Sequence, residues 1–94
     1  MKSIDYKELL HKRLEDPEQA AEYLTACYAE GPEVFLVGLR DVVEARGGVS
    51  QTARLTKLNR ESLYRVFSKS GNPRLSSLSS VLSALGLKLT VEPA

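Results

Sequence analysis

Cysteine is almost missing from this 94-residue chain; Cys27 is the only one. A single thiol closes no internal disulfide and supplies no thiolate metal cluster. Histidine is equally scarce. His11 stands alone on a polar stretch, with no second histidine or cysteine near it in sequence, which predicts a solvent-exposed ring and not a metal ligand. Long apolar runs are missing too. The longest, residues 34–39 with Gly38 included, is far too short to cross a bilayer. The opening residues are polar and charged, without the apolar stretch of a signal peptide, so a cytoplasmic protein with no membrane association is expected. There is no internal repeat, no low-complexity tract, and no glycine-rich phosphate loop after a strand. Cys27 lies on an apolar stripe and reads as a small core residue, not a nucleophile. The neighbouring carboxylates of Asp16 and Glu18 are explained by capping at a helix start. No metal, no cofactor and no enzymatic activity are therefore expected.

What remains is an ordinary globular composition, 43% hydrophobic and 27% charged, in a length that suits one domain. The net charge of +1 conceals a division. Residues 1–49 hold six Lys/Arg against ten Asp/Glu, whereas residues 50–94 hold seven Lys/Arg against Glu61 and Glu92 alone. An acidic surface at one end and a basic one at the other are expected.

Periodicity predicts an all-α fold of five to six short helices. Asp5 is placed to cap the first, with Glu8 completing a capping box and Tyr6, Leu9, Leu10, Arg13 and Leu14 along one side. Asp16-Pro17 restarts the helix, with Gln19 able to reach back to the cap, and Ala20, Tyr23, Leu24, Cys27 and Tyr28 supply the second stripe up to Gly31. Phe35, Leu36, Leu39, Val42 and Val43 cover a broad arc of a third, the most buried helix, which Gly47-Gly48 stops. Ser50, Asn59 and Ser76 are expected caps of three further helices, the last carrying Leu78, Val81, Leu82 and Leu85 inward before Gly86. After Gly86 the period drops from 3.6 to 2: Leu87, Leu89 and Val91 alternate with Lys88, Thr90 and Glu92, which predicts a short C-terminal β-strand over residues 87–94. Its ladder partner is not evident, since no second strand pattern exists. The start of the chain, a second copy, or another protein are the candidates. The organisation expected is a single domain, 1–94, with an N-terminal helical segment (1–30), a core (31–86) and this strand.

The stretch "SQTARLTKLNRESLYRVF", residues 50–67, has the packing logic of a helix-turn-helix. Ala53 is small enough for a close helix crossing, Leu58 plugs the turn, and Leu63 and Val66 hold the second helix down. Arg60, Glu61, Ser62, Tyr64 and Arg65 are then left outward, where such a helix meets base edges in a major groove. Arginine can bind guanine in bidentate fashion and glutamate can accept from cytosine. Ser50, Gln51, Thr52 and Asn59 are candidate phosphate contacts, as are Lys69, Asn72 and Arg74 at the exit. Arg54, Lys57, Arg60, Arg65 and Lys69 crowd into sixteen residues that contain one acidic side chain. Gly71 is expected to take a left-handed turn and Pro73 to stiffen the loop.

The runs "LNRESLY", "GNPRLS" and "LGLKL", with "DPEQAAEYL" upstream, resemble the small addiction-module antidote proteins, a branch of the lambda-repressor-like helix-turn-helix group. The resemblance spans about residues 5–93. It implies an all-helical DNA-binding fold, a cognate toxin encoded beside it (usually a small mRNA-cleaving protein) and repression of its own operon. Lys57 stands where the family's turn usually has glycine.

The expectation is thus an antitoxin that binds double-stranded operator DNA as a homodimer and neutralises a toxin. Tyr6, Tyr23 and Tyr28 are candidate toxin anchors on the acidic segment, core packing being the favoured role, above all for Tyr23. A free-standing prophage-type regulator without a toxin is the alternative reading, and a pure protein-interaction module a third.

Overall fold

The structure, a computed structural model, describes residues 5–94. It contains six helices among these residues: α1 (Tyr6–Leu14), α2 (Pro17–Glu30), α3 (Pro32–Ala45), α4 (Gly48–Thr56), α5 (Arg60–Val66) and α6 (Leu75–Ala84). None is long and apolar enough to span a membrane.

The first three helices start where the local chemistry directs. Asp5 and Asp16 each accept a backbone N–H two residues on, at 2.9 and 3.0 Å, and Pro17 and Pro32 occupy first helical positions where no N–H is needed. Gln19 does not reach back to its cap; its Oε1 accepts from Arg13 Nε at 2.8 Å, tying α2 to α1. Gly31, with φ of 147°, ends α2 and turns directly into α3. α3 packs against α2 and α1 on one side and reaches α4 on the other, while α4 carries α5 and α6. Leu39, Val42 and Val43 of α3 are fully buried, together with Leu14, Leu63 and Val81 from α1, α5 and α6. Each such residue removes its apolar surface from water, worth about 1.5–3 kcal/mol.

The later helix starts differ from expectation. α4 begins at Gly48, two residues before Ser50, because Gly47 takes a left-handed φ of 108° and brings the chain into helix early. Ser50 therefore lies inside the first turn and caps nothing. α6 begins at Leu75 with Arg74 in the cap position, so Ser76 is likewise internal. Asn59 does cap α5, its Oδ1 accepting from Ser62 N at 2.7 Å. Gly71 is not left-handed. It is needed for space: a Cβ there would stand 2.6 Å from Arg65 O and 2.8 Å from Ser68 O. Lys57 is the one non-glycine residue with positive φ among those described, at 64°.

The predicted C-terminal strand is not formed among the described residues. α6 closes with Gly86 at φ 75° and a paired cap, Gly86 N donating to Ser83 O at 3.0 Å and Leu87 N to Leu82 O at 2.8 Å. Beyond that, residues 88–94 make no backbone hydrogen bond with another described residue. A strand is defined by its ladder, and no other described segment is extended to provide one.

Candidate nucleic-acid interface

α4 and α5 are joined by Lys57, Leu58 and Asn59. Leu63 and Val66 press the inner side of α5 into the core, with Phe67 beside them, and Ala53 and Leu58 pack against the same cluster. That anchoring leaves Arg60, Glu61, Tyr64 and Arg65 exposed on the outer side of α5. Arg54, Lys57, Lys69 and Arg74 are exposed as well. Among the described residues the ion pairs are Lys7–Glu44 and Arg40–Glu44, with His11 Nε2 3.5 Å from the same carboxylate; none of the six cations on α4, α5 and the following loop has a carboxylate partner. Even Glu61 and Arg65, four apart on α5, form no ion pair.

Arg65, Ser62, Asn72 and Arg74 border one shallow open groove of about 590 Å³ between α5 and the start of α6. The N-termini of α4 and α6 have no side-chain cap. Their first backbone N–H groups are therefore without a local side-chain acceptor, beside Ser50 and Gln51 in one case and Arg74 in the other. Amide groups of this kind, at the positive end of a helix dipole, favour an anion.

Two expected site residues, Thr52 and Ser62, sit differently from the prediction, and Tyr64 has a neighbour that was not foreseen. Thr52 is 2% exposed and its hydroxyl donates to Gly48 O at 3.0 Å, so it is a core residue and reaches no external phosphate. Tyr64 is exposed as expected, but the Arg40 guanidinium lies over its ring, 5.4 Å from the centroid. Ser62 is half-buried and its backbone N–H is spent on the Asn59 cap. Arg40 adds a cation beside α5 that sequence reasoning missed. It comes from α3, held by Glu44 Oε1 at 3.0 Å, and no local pattern near residue 60 announces it.

Away from this surface, His11 is not the free ring expected. It is half-buried between α1 and α3, with Nε2 3.5 Å from Glu44 Oε2 and no hydrogen-bond partner. His11, Asp41 and Glu44 place donor atoms within 4.8 Å of one another, the one group of described residues with a cation-ligand arrangement. Glu44 is already engaged there by Arg40 and Lys7. Tyr23 donates its hydroxyl to Asp41 Oδ2 at 2.8 Å. Burial first, and then this bond, hold the Tyr23 phenol well above its ordinary pKa. Burial likewise raises the Cys27 thiol, in keeping with a packing role. Tyr6 and Tyr28 are exposed, Tyr28 meeting Phe35 edge-on at 5.9 Å. From Leu14 to Leu39 the chain carries Glu15, Asp16, Glu18, Glu22, Glu30 and Glu33 with no Lys or Arg, and all six carboxylates are exposed.

Comparison with known proteins adds what geometry alone does not. The sequence profile of a family described as "probable addiction module antidote protein" matches residues 3–93. An uncharacterised protein of Haemophilus influenzae is 34% identical over 82 residues, which cover 86% of this chain and 84% of that protein. No solved structure matches the chain. The match extends across both the acidic helices and the basic pair, and the chain belongs to the addiction-module antidote family.

Proposed function

We propose that this chain is the DNA-binding antitoxin of a type II toxin–antitoxin module, a cytoplasmic, non-enzymatic protein that represses its own operon and neutralises a small mRNA-cleaving toxin. The family membership supports the antidote role and the toxin partner. The observation that carries the DNA reading is the set of cations around α5 with no carboxylate partner: Arg54, Lys57, Arg60, Arg65, Lys69 and Arg74. In this reading α4 and α5 form a helix-turn-helix of the lambda-repressor-like type. The outer side of α5 enters the major groove, where Arg60 and Arg65 read guanine edges and Glu61 accepts from cytosine. Lys69, Asn72 and Arg74, with Ser50, Gln51 and the uncapped start of α4, hold the phosphates. Tyr64, steadied by Arg40, lies against the groove wall. A homodimer presents two such helices to two half-sites.

The acidic run from Glu15 to Glu33 suits the toxin. A protein that grips RNA carries a basic site, and an uncompensated carboxylate surface attracts it from a distance and speeds encounter. The exposed Tyr28–Phe35 pair offers an aromatic anchor within that surface.

The test is binding to the DNA upstream of the chain's own reading frame, measured by fluorescence anisotropy at several salt concentrations. Arg65→Ala is expected to weaken specific binding by about 1–3 kcal/mol with an unchanged melting temperature, and Arg74→Ala to lower the salt slope by about one. Wild-type affinity in both variants would sink the reading of this surface.

A further inference from the structure

We propose that residues 87–93 pair with the same segment of a second copy, as an antiparallel two-stranded ribbon whose two-fold axis passes through Thr90. The segment leaves α6 in a fixed direction, since the paired cap at Gly86 and Leu87 ties its first residue to Leu82. From Lys88 onward it makes no hydrogen bond with another described residue. It exposes Leu89 by 54% and Val91 by 95%, an apolar edge that a monomer leaves in water.

The sequence "LKLTVEP", residues 87–93, is complementary to itself in one register. With Thr90 opposite the partner's Thr90, Lys88 faces the partner's Glu92 and Glu92 faces the partner's Lys88. Leu89 faces Val91 on the other face, twice. Moving the register by one residue sets apolar side chains against polar ones throughout. Moving it by two restores the faces but sets Lys88 against Thr90 or Ala94, so neither charge finds its opposite. A parallel arrangement in register sets Lys88 against Lys88. The proline supplies an independent check. Antiparallel pairs alternate between hydrogen-bonded and non-bonded positions. If Thr90 is a bonded pair, Lys88 and Glu92 are bonded too. Leu89, Val91, Leu87 and Pro93 then fall at non-bonded positions. Pro93 has no N–H to give and needs none there. The apolar pairs meanwhile occupy the more closely spaced positions, where side-chain contact is greatest.

The contact is isologous, so it closes at two copies. It is also small for a stable dimer, and a two-stranded ribbon alone is marginal, so self-association is concentration-dependent in free solution. The inference stands apart from the DNA reading, and its test contains no DNA.

Sedimentation of the full chain over a concentration series is expected to show a monomer–dimer equilibrium. Lys88→Glu and Glu92→Lys each set like charges opposite one another twice and are expected to weaken the dimer at least about tenfold, while the double variant recovers it. Thr90→Cys sits on the axis and is expected to cross-link between copies under mild oxidation, Cys27 being buried. Lys88→Cys, four residues out of register with itself, is expected not to. A double variant no better than either single one, Thr90→Cys that cross-links no faster than Lys88→Cys, or a chain monomeric at every soluble concentration overturns the ribbon.

Discussion

Replacing Lys57 by glycine should stabilise this protein, although it removes a charged side chain from a turn that is fully built. Lys57 closes α4, its N–H donating to Ala53 O at 2.9 Å, and it does so at φ 64°. A residue with a Cβ spends about 1–2 kcal/mol in that left-handed region. Glycine avoids this cost but loses roughly 0.5–1 kcal/mol more backbone entropy on folding. The difference leaves a net gain of about 0.5–1 kcal/mol. For a domain of this size that corresponds to a rise in Tm of about 2–8 °C. Lys57→Ala is the control, since it removes the same charge and keeps the Cβ. Thermal unfolding followed by circular dichroism, at two salt concentrations, separates backbone from charge. Lys57→Gly should melt above Lys57→Ala at both. Equal melting temperatures, or a lower one for the glycine variant, would mean that the turn does not hold Lys57 in a left-handed conformation, and the account of the α4–α5 connection would fall.

Two further changes probe the loop and the α2–α3 seam. Gly71→Ala forces a methyl group within 3 Å of two backbone carbonyls and should cost about 1–3 kcal/mol in urea unfolding, displacing Asn72 and Arg74 with it; a variant as stable as wild type would show that the loop is not packed this closely. Tyr23→Phe loses the 2.8 Å bond to Asp41, which in its half-buried setting is worth about 1 kcal/mol. Because the fold raises the Tyr23 pKa, wild type should also lose stability as pH climbs above about 10, the ordinary tyrosine value, a loss smaller in the phenylalanine variant; indistinguishable alkaline profiles would contradict the assignment.

The parts of this fold that were legible in the sequence are those decided locally. Asp16-Pro17 and Asn59 announce helix starts because a short polar side chain can satisfy free N–H groups only there. The stripe of Leu36, Leu39, Val42 and Val43 announces a buried face because 3.6-residue periodicity does so by itself. Ser50 and Ser76 misled for the same local reason. Serine is equally at home inside a first turn, and in both cases a neighbouring backbone conformation, at Gly47 and at Arg74, decided the start. Thr52 was read as outward from its place near a helix start. Its burial follows from how α4 lies on α3 and α6, which no window of sequence contains. The contacts of Arg40 with Tyr64, His11 with Glu44 and Tyr23 with Asp41 each join residues 18 or more apart, so the composition of either end does not reveal them. The alternation in residues 87–93 predicts a strand that the described residues do not form, because a strand needs a ladder partner and none of them supplies one.

The distribution of ion pairs bears on why the charges are divided at all. Lys7, His11 and Arg40 all converge on Glu44, at the seam of α1 and α3. Among the described residues, the exposed carboxylates between Leu14 and Leu39 and the exposed cations after Ser50 are left without close partners. Interleaving them would have gained little, because an exposed pair contributes at most about 1 kcal/mol and often nothing measurable. Segregating them therefore costs the fold almost no stability. It gives the molecule two fields of opposite sign that reach about 8–10 Å into physiological salt, far enough to orient an approaching polyanion or polycation before contact. A chain selected for stability alone has no reason to keep its charges apart, whereas the proposed antitoxin, with DNA and a toxin as partners on different surfaces, does.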